Sequence, residues 1–419
     1  MDFDRGVWYN LGVKILGIET SCDETAAAVV EDGAKILSNV VVSQIDIFAE
    51  YGGVIPEVAA RSHLEAILPV IDKALSDASC NWDDIDAIAV THAPGLLGSL
   101  LIGTLTARTL AILHNKPLYA VHHLKSHVYA NWLTTDEHNS VLSTRSSRSV
   151  VTGGASLTRS SSVAKGLTVR PTFPLLALVI SGGHTQILYM SAHNQFEIVG
   201  TTHDDAVGEC FDKVAKILGL PYPGGPSIAA AAEGEISVGT ACPAGTLQAA
   251  LAKSSCPAEH TVPTQISRGD ANKYKLPHPK VAGLDFSFSG LKTAVLRAVQ
   301  KEVGVPISYP SHKLKELLTP QQICDFAASF QKTAVDILVE KLNLARKKFP
   351  ETRAIVVAGG VSANQTLREA LSEAYFPAPK LSGDNGAMVA AAAYYEIQSG
   401  VKPVDPFTLN IYPRISIEK

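Results

Sequence analysis

Apolar positions along the chain fall into two periods. Lys14–Ile18 is a short β-rich run, followed by the polar stretch Glu19-Thr20-Ser21-Cys22-Asp23-Glu24-Thr25 and a second apolar run, Ala26–Val30. That order predicts strand, polar turn, strand. The pattern recurs at Leu175–Ile180, Ser181-Gly182-Gly183-His184-Thr185 and Gln186–Met190. Two similar hairpins, each opening a segment with helices behind it, predict a duplicated α/β unit. From Ile55 to Ala74 the apolar residues keep helical spacing after Pro56, and Asp86–Val90 reads as a buried strand followed by a loop, Thr91–Gly95. Thr319-Pro320-Gln321-Gln322 offers an N-cap, a proline in the first turn and a Gln at the capping-box position. Ile323, Phe326, Phe330, Ile337, Leu338 and Leu342 then share one face. Ala354–Ala358 predicts a strand running into Gly359-Gly360-Val361-Ser362-Ala363-Asn364 and another helix.

One apolar stretch, Leu96 to His114, imitates a membrane span. Its Gly98, Gly103, Arg108 and several hydroxyls suit a helix buried in a soluble protein instead. Two segments break the periodic pattern. Asn139 to Phe173 is rich in Ser, Thr and Gly, carries Arg145, Arg148, Arg159, Lys165 and Arg170, and holds no acid. It reads as a flexible insertion, either a plain surface loop or a basic arm for RNA phosphates. Ser237 to Lys280 is irregular and rich in Pro, Cys and Ala.

With 419 residues, 46% of them hydrophobic, the chain exceeds one compact core, and two packed domains follow. The net charge of −4 does not announce a phosphate-bearing partner, so binding RNA would require a local basic face or a helper protein. Six scattered cysteines without a C-x-x-C fit a reducing compartment. The mixed-charge start, Met1-Asp2-Phe3-Asp4-Arg5, resembles neither a secretory signal nor a transit peptide.

Three constellations carry candidate chemistry. In His123-Leu124-Lys125-Ser126-His127, a helix would place His123 and His127 at i and i+4 on one face, a spacing suited to two ligands of one metal. Leu124 stands where a metalloprotease of the HExxH type has its general base, which argues against that activity. A third ligand must come from afar, and Asp384, in the turn Ser382-Gly383-Asp384-Asn385-Gly386, is a candidate. Ser181-Gly182-Gly183, Gly359-Gly360 and the turn Tyr222–Pro226 are glycine-rich loops of the sort that admit phosphate to the backbone. No GxxxxGK[ST] and no strand-linked GxGxxG occur, which excludes a P-loop and disfavours a Rossmann site. Asp204-Asp205-Ala206-Val207-Gly208-Glu209-Cys210-Phe211-Asp212-Lys213 gathers four acids in one expected helical stretch. It is either a solvated acidic face or a carboxylate site for ribose hydroxyls.

Taken together, Gly17–Thr25, the His123/His127 pair, Val179–Thr185, Asp204–Lys213, Pro223-Gly224-Gly225, Phe286–Lys292 and Gly359–Asn364 resemble the bacterial TsaD family, the tRNA N6-adenosine threonylcarbamoyltransferases. These motifs occur in order from near Lys14 to about residue 395. The resemblance implies an α/β fold of two duplicated actin-like, sugar-kinase-like ATPase (ribonuclease H-like) lobes with the ligand cleft between them. The lobes are expected at 1–134 and 174–419, with the insertion at 135–173 and a second irregular stretch at about 237–280. It implies transfer of a threonylcarbamoyl group from threonylcarbamoyl-adenylate to N6 of adenosine-37 in tRNAs that read codons beginning with A, with release of AMP. It assigns His123, His127 and Asp384 to a divalent metal, iron(II) before zinc or magnesium. Val179, Ile180, Ser181, Gly182, Gly183, Asp212, Gly225 and Asn364 are assigned to the nucleotide-bearing substrate, and Asp23 and Glu24 lie near the reacting phosphate as candidate catalytic groups. The relatives work in the cytoplasm, with a mitochondrial relative as the alternative. Their partners are an inactive paralogue and a small ATPase, and no membrane is involved. Lys125-Ser126, Gly383 and Ala93 depart from the family pattern, while the three metal ligands are retained. The rival readings are an ATP-driven kinase or chaperone of the same fold, and a non-catalytic RNA scaffold.

Overall fold

The computed structural model describes residues 12–134, 170–236, 267–279 and 281–418. The insertion expected at 135–173 therefore lies outside the described residues except for its last four, and so does the stretch 237–266. Two mixed sheets organise the chain. In the first, β1 (Lys14–Glu19), β2 (Glu24–Glu31) and β3 (Lys35–Ser43) form an antiparallel meander. β4 (Ala87–Ala93) and β5 (Leu118–His122) then add in parallel beside β1, in the order β3-β2-β1-β4-β5. The second sheet repeats this plan. β6 (Leu175–Ile180), β7 (Thr185–Ala192) and β8 (Gln195–Thr201) form the meander, and β9 (Ala354–Ala358) adds in parallel to β6, in the order β8-β7-β6-β9. The duplicated hairpins read from the sequence are thus the opening strands of two alike α/β lobes. Strand β4 runs to Ala93, further than the sequence suggests, because Thr91 and Ala93 still pair with Val121 and His122 of β5.

Helices cover the sheets. The first lobe holds α1 (Ile45–Tyr51), α2 (Pro56–Asp77), α3 (Leu97–Leu113) and α4 (His123–Tyr129). The second holds α5 (Val207–Leu218), α6 (Gly224–Ala232), α7 (Ser289–Glu302), α8 (Pro320–Lys348) and α9 (Gln365–Ala370). The last helix, α10 (Gly386–Gln398), follows the second lobe in sequence but packs on β1 and β2 of the first. Its approach is backbone to backbone. A Cβ on Gly17 would collide with the carbonyl oxygen of Gly386 and lie 2.6 Å from the nitrogen of Ala390, and one on Gly386 would lie 2.6 Å from the backbone of Ala27 and Ala28. The Ala390–Ala393 run of α10 is wholly buried. Its core is continuous with Leu124 and Val128 of α4 and with Leu175, Ala177 and Val179 of β6, so one apolar cluster spans both lobes.

Helix α8 starts as its sequence predicts: the Thr319 hydroxyl accepts from Gln322 N and the Gln322 side chain bonds back to Thr319 N. Helix α3 corrects an expectation. It is not buried all round: Leu97, Leu101, Leu105, Ile112 and Leu113 are exposed. Only its small-residue face is packed, where Gly98 meets Ala60 and Gly103 leaves no room for a Cβ beside Thr20. No helix among the described residues is long and apolar enough to cross a membrane.

If the close approach of α10 sets its position, Gly17→Ala should lower stability by about 1–3 kcal/mol through overpacking. Chemical denaturation of the two proteins checks this. An unchanged midpoint would show that α10 shifts freely on the sheet.

Candidate metal centre and substrate cleft

Helix α4 begins where β5 ends, and His122 closes it by accepting from Leu124 N at 3.2 Å. One turn of helix then places His123 and His127 on the same face, with ring centroids 4.6 Å apart. Asp384 arrives from the turn ahead of α10, which Asn385 caps by accepting from Met388 N. Its Oδ1 lies 3.7 Å from His123 Nε2 and 3.1 Å from His127 Nε2. One ligand atom from each residue falls within 4.8 Å of the others. The approach of His127 to Asp384 does not have hydrogen-bond geometry, and both ring nitrogens of His127 are buried without a hydrogen-bond partner among the described residues. An imidazole nitrogen buried without a hydrogen-bond partner beside a carboxylate is left available to a cation. These residues could hold a divalent metal.

The other nitrogen of His123 is occupied. Its Nδ1 lies 3.2 Å from Glu19 Oε2 and 3.1 Å from Ser21 Oγ. Glu19 is fully buried and also takes hydrogen bonds from Ser21 N at 2.5 Å and Thr91 Oγ1 at 2.6 Å. A carboxylate fixed in this way holds the proton on Nδ1 and turns Nε2 toward Asp384. Burial opposes a charge on His123, but Asp384 and Glu19 outweigh it and push the pKa up to about 9. Burial likewise opposes the charge of Asp384, and the histidines beside it hold its pKa down at about 2. His184 faces the same corner and is depressed to about 4, by burial first and then by His123 and His127.

The trio opens onto a cleft of about 1610 Å³ between the lobes, ample for a nucleotide and a reacting base. Of the residues read from the sequence, Asp23, Glu24, His123, Ser181, Gly182, Gly183, Asp212, Gly225, Asn364 and Asp384 line it. His127 lies just behind, buried. Val179 and Ile180 do not reach the wall: their side chains are wholly buried in β6, where they hold the loop that follows. Among the described residues, only the neighbours in the chain come within 4 Å of a Cβ added to Gly182, Gly183 or Gly360, and Gly225 adds only its own helix backbone, so the backbone there is open to a ligand. The acidic stretch divides differently from its sequence reading. Helix α5 starts only at Val207. Asp204 instead accepts from Phe288 N, Ser287 Oγ and Ser289 Oγ at the start of α7, and Asp205 pairs with Lys213 at 2.7 Å. Asp212 alone of the four combines a cleft position with a backbone tie, accepting from Gly224 N at 2.7 Å, and burial raises its pKa. Burial and the charge of Asp384 raise that of Glu24 well above the usual range.

Glu19, His184 and Tyr222, which the sequence shows only as members of motifs without a role of their own, also belong to this site, as does the tail segment Pro413–Ser416, which the sequence does not mark. Lys125, the departure inside the histidine motif, points away from the His/His/Asp trio. Its Nζ lies 3.9 Å from Glu396 Oε1 on α10 and 3.2 Å from Asn194 Oδ1.

The chain matches the TsaD family, tRNA N6-adenosine threonylcarbamoyltransferase, over residues 35–154 and 155–391. It belongs to that family. Proteins of this name from Thermomicrobium roseum and Symbiobacterium thermophilum are each 41% identical to it, covering 93% and 96% of both partners. One from Dehalococcoides mccartyi is 40% identical over 97% of this chain and 99% of its own. Among solved structures, the activator of the 2-hydroxyisocaproyl-CoA dehydratase from Clostridium difficile with bound ADPNP is 12% identical with a TM-score of 0.42, covering 94% of this chain and 99% of that one. In this TsaD-family chain the His/His/Asp trio opens onto the cleft between the lobes.

Two outcomes follow. Glu19→Gln should weaken metal binding about 10- to 100-fold with the fold retained, read by titrating the metal-free protein with the ion. Equal affinity would show that Glu19 does not orient His123. Glu396 is buried beside Lys125, and burial raises its pKa from 4.5 to about 7. Between those values only the folded state keeps the proton, so stability falls as pH rises through that window. Glu396→Gln should flatten this slope in melting temperatures taken from pH 5 to 8.

Proposed function

We propose that the cleft transfers the threonylcarbamoyl group of threonylcarbamoyl-adenylate to N6 of adenosine-37 in tRNAs reading codons that begin with A, releasing AMP. One observation carries the reading. In a chain of this family, the trio His123, His127 and Asp384 opens onto the same cleft as Ser181–Gly183, Asp212, Gly225 and Asn364. The two imidazoles and one carboxylate would hold a single divalent ion, iron(II) before zinc. Magnesium is the weaker candidate, because it prefers oxygen ligands. When bound, the ion supplies Lewis-acid charge that orients and polarises donor oxygens.

The chain's own groups do the rest. The open backbone of Ser181–Gly183 receives phosphate charge as AMP leaves. Asp212, Gly225 and Asn364 hold the nucleoside part, and Val179 and Ile180 support the loop from behind. The adenosine N6 attacks the carbonyl carbon, a C–N bond forms, and the C–O bond to AMP breaks with its electron pair leaving on AMP. The proton from N6 passes to a base. Glu24, whose pKa burial lifts above the usual carboxylate range, suits that transfer, with Asp23 beside it. An anticodon-loop base is reachable without opening a duplex.

The exposed leucines 64, 68, 97, 101 and 105 on α2 and α3 support a protein partner, which we assign to the inactive paralogue, with a small ATPase as the further subunit and the cytoplasm as the place of work. Leu124 is buried in the apolar core, so no general base stands beside His123 at the protease position. An ATP-driven kinase or chaperone would not need the trio.

The test is transfer to unmodified tRNA from threonylcarbamoyl-adenylate, with the partner subunits present. Wild type should form the modified nucleoside, and Asp384→Ala and His123→Ala should lose at least about 100-fold in rate. Product from all three would keep the reaction and remove the trio from it. No product from folded wild type would sink the reading.

A further inference from the structure

After α10 the chain returns across the first lobe and then reaches the second. Val404 N donates to Leu118 O at the edge of β5, and Arg108 donates to the carbonyls of Pro406 and, at 3.0 Å, Phe407. Tyr412 N donates to His92 O at 3.0 Å, while His92 Nδ1 lies 3.2 Å from Asn410 O. The Pro413 carbonyl accepts from Gly95 N at 3.2 Å, and the Ile415 carbonyl lies 3.4 Å from His122 Nε2. Ile417 is buried in the core that both lobes share, and Glu418 Oε1 accepts from Ile198 N of β8 at 2.8 Å. The segment 404–418 is therefore a strap tied to both lobes, and Pro413–Ser416 form part of the cleft wall.

Arg414 sits on this strap between two anchored neighbours. Its backbone is held on both sides, yet its guanidinium has no hydrogen-bond or ion-pair partner among the described residues. The charge balance of the wall makes this meaningful. Asp23, Glu24, Glu209, Asp212 and Asp384 all line the cleft. Of the two lysines there, Lys213 is committed to Asp205 and Glu209 at 2.7 and 2.9 Å, and Lys216 stands on α5, one turn of helix on from Asp212, so Arg414 is the cation that the strap brings to the wall. Both substrates of the proposed reaction bring phosphate into this acidic wall, so like charges must be offset from somewhere. A guanidinium on a fixed backbone presents parallel donors that match two oxygens of one phosphate.

We propose that Arg414 is a phosphate-binding residue of the transfer reaction, delivered to the cleft by the strap. This rests on the functional reading above. The phosphate belongs either to the adenylate donor or to the tRNA backbone, and the kinetics separate the two. Wild type, Arg414→Ala and Arg414→Lys are compared in steady-state transfer with the partner subunits present, varying donor, tRNA and salt in turn. The alanine variant should raise one KM about 10- to 100-fold with kcat changed less than about twofold. The lysine variant should recover part of the loss, since it restores charge but not the fork. If tRNA supplies the phosphate, its KM rises and the dependence of log KM on log salt becomes shallower by about one. If the donor supplies it, the donor KM rises and the tRNA salt slope stays. Melting temperature should not move, because the side chain has no partner to lose. Unchanged KM values beside an active wild type overturn the proposal alone, as does a fall in kcat at constant KM. An inert wild type overturns the functional reading and this proposal with it.

Discussion

The site depends on a contact that involves no functional group: the approach of α10 to β1 through Gly17 and Gly386. Asp384 lies two residues before Gly386, so the depth to which α10 settles on the sheet sets where the carboxylate meets the imidazoles. Helix α4 is fixed by the same core, through Leu124 and Val128. The His/His/Asp trio is thus assembled by elements gripped in one apolar cluster, α4 and the turn that leads into α10. A side chain at either glycine would be felt at the ligands as a displacement, and ligand sets tolerate little of it.

Electrostatics in the cleft follow from that packing. Glu19, wholly buried on β1, satisfies its oxygens with Ser21, Thr91 and His123. It transmits orientation to His123, which in turn faces Asp384. Further out, Asp23, Glu24 and Asp212 make an acidic wall that would repel a phosphate. The open glycine loops and the strap residues Pro413–Ser416 form other parts of the same wall.

The parts legible in the sequence were those with a local signature. The two hairpins, the capping box at Thr319, the strand Ala354–Ala358 and the helical spacing of His123 and His127 need only neighbours in the chain, and the structure has them all. The parts that were not legible depend on distant partners. Asp204 looked like a member of an acidic helix because the groups it caps, at Ser287–Ser289, are more than 80 residues away in the chain. The importance of Glu19 rests on His123, 104 positions on. Helix α3 spreads its leucines and isoleucines around its axis, and composition cannot say which face a glycine-packed neighbour will cover. The strap has no period to detect, since its hydrogen bonds go to scattered carbonyls and imidazoles.

The core common to both lobes has a mechanical consequence. Because α4, α10 and β6 share it, any rotation of one lobe against the other would pivot beside the histidines, where displacement is smallest. The wall formed by α5 and α6 is built on a separate core of the second lobe and would be carried with that core. An opening wide enough to admit a folded RNA could then occur while the distances among His123, His127 and Asp384 hardly change. The cleft would breathe at its rim and keep a stiff centre.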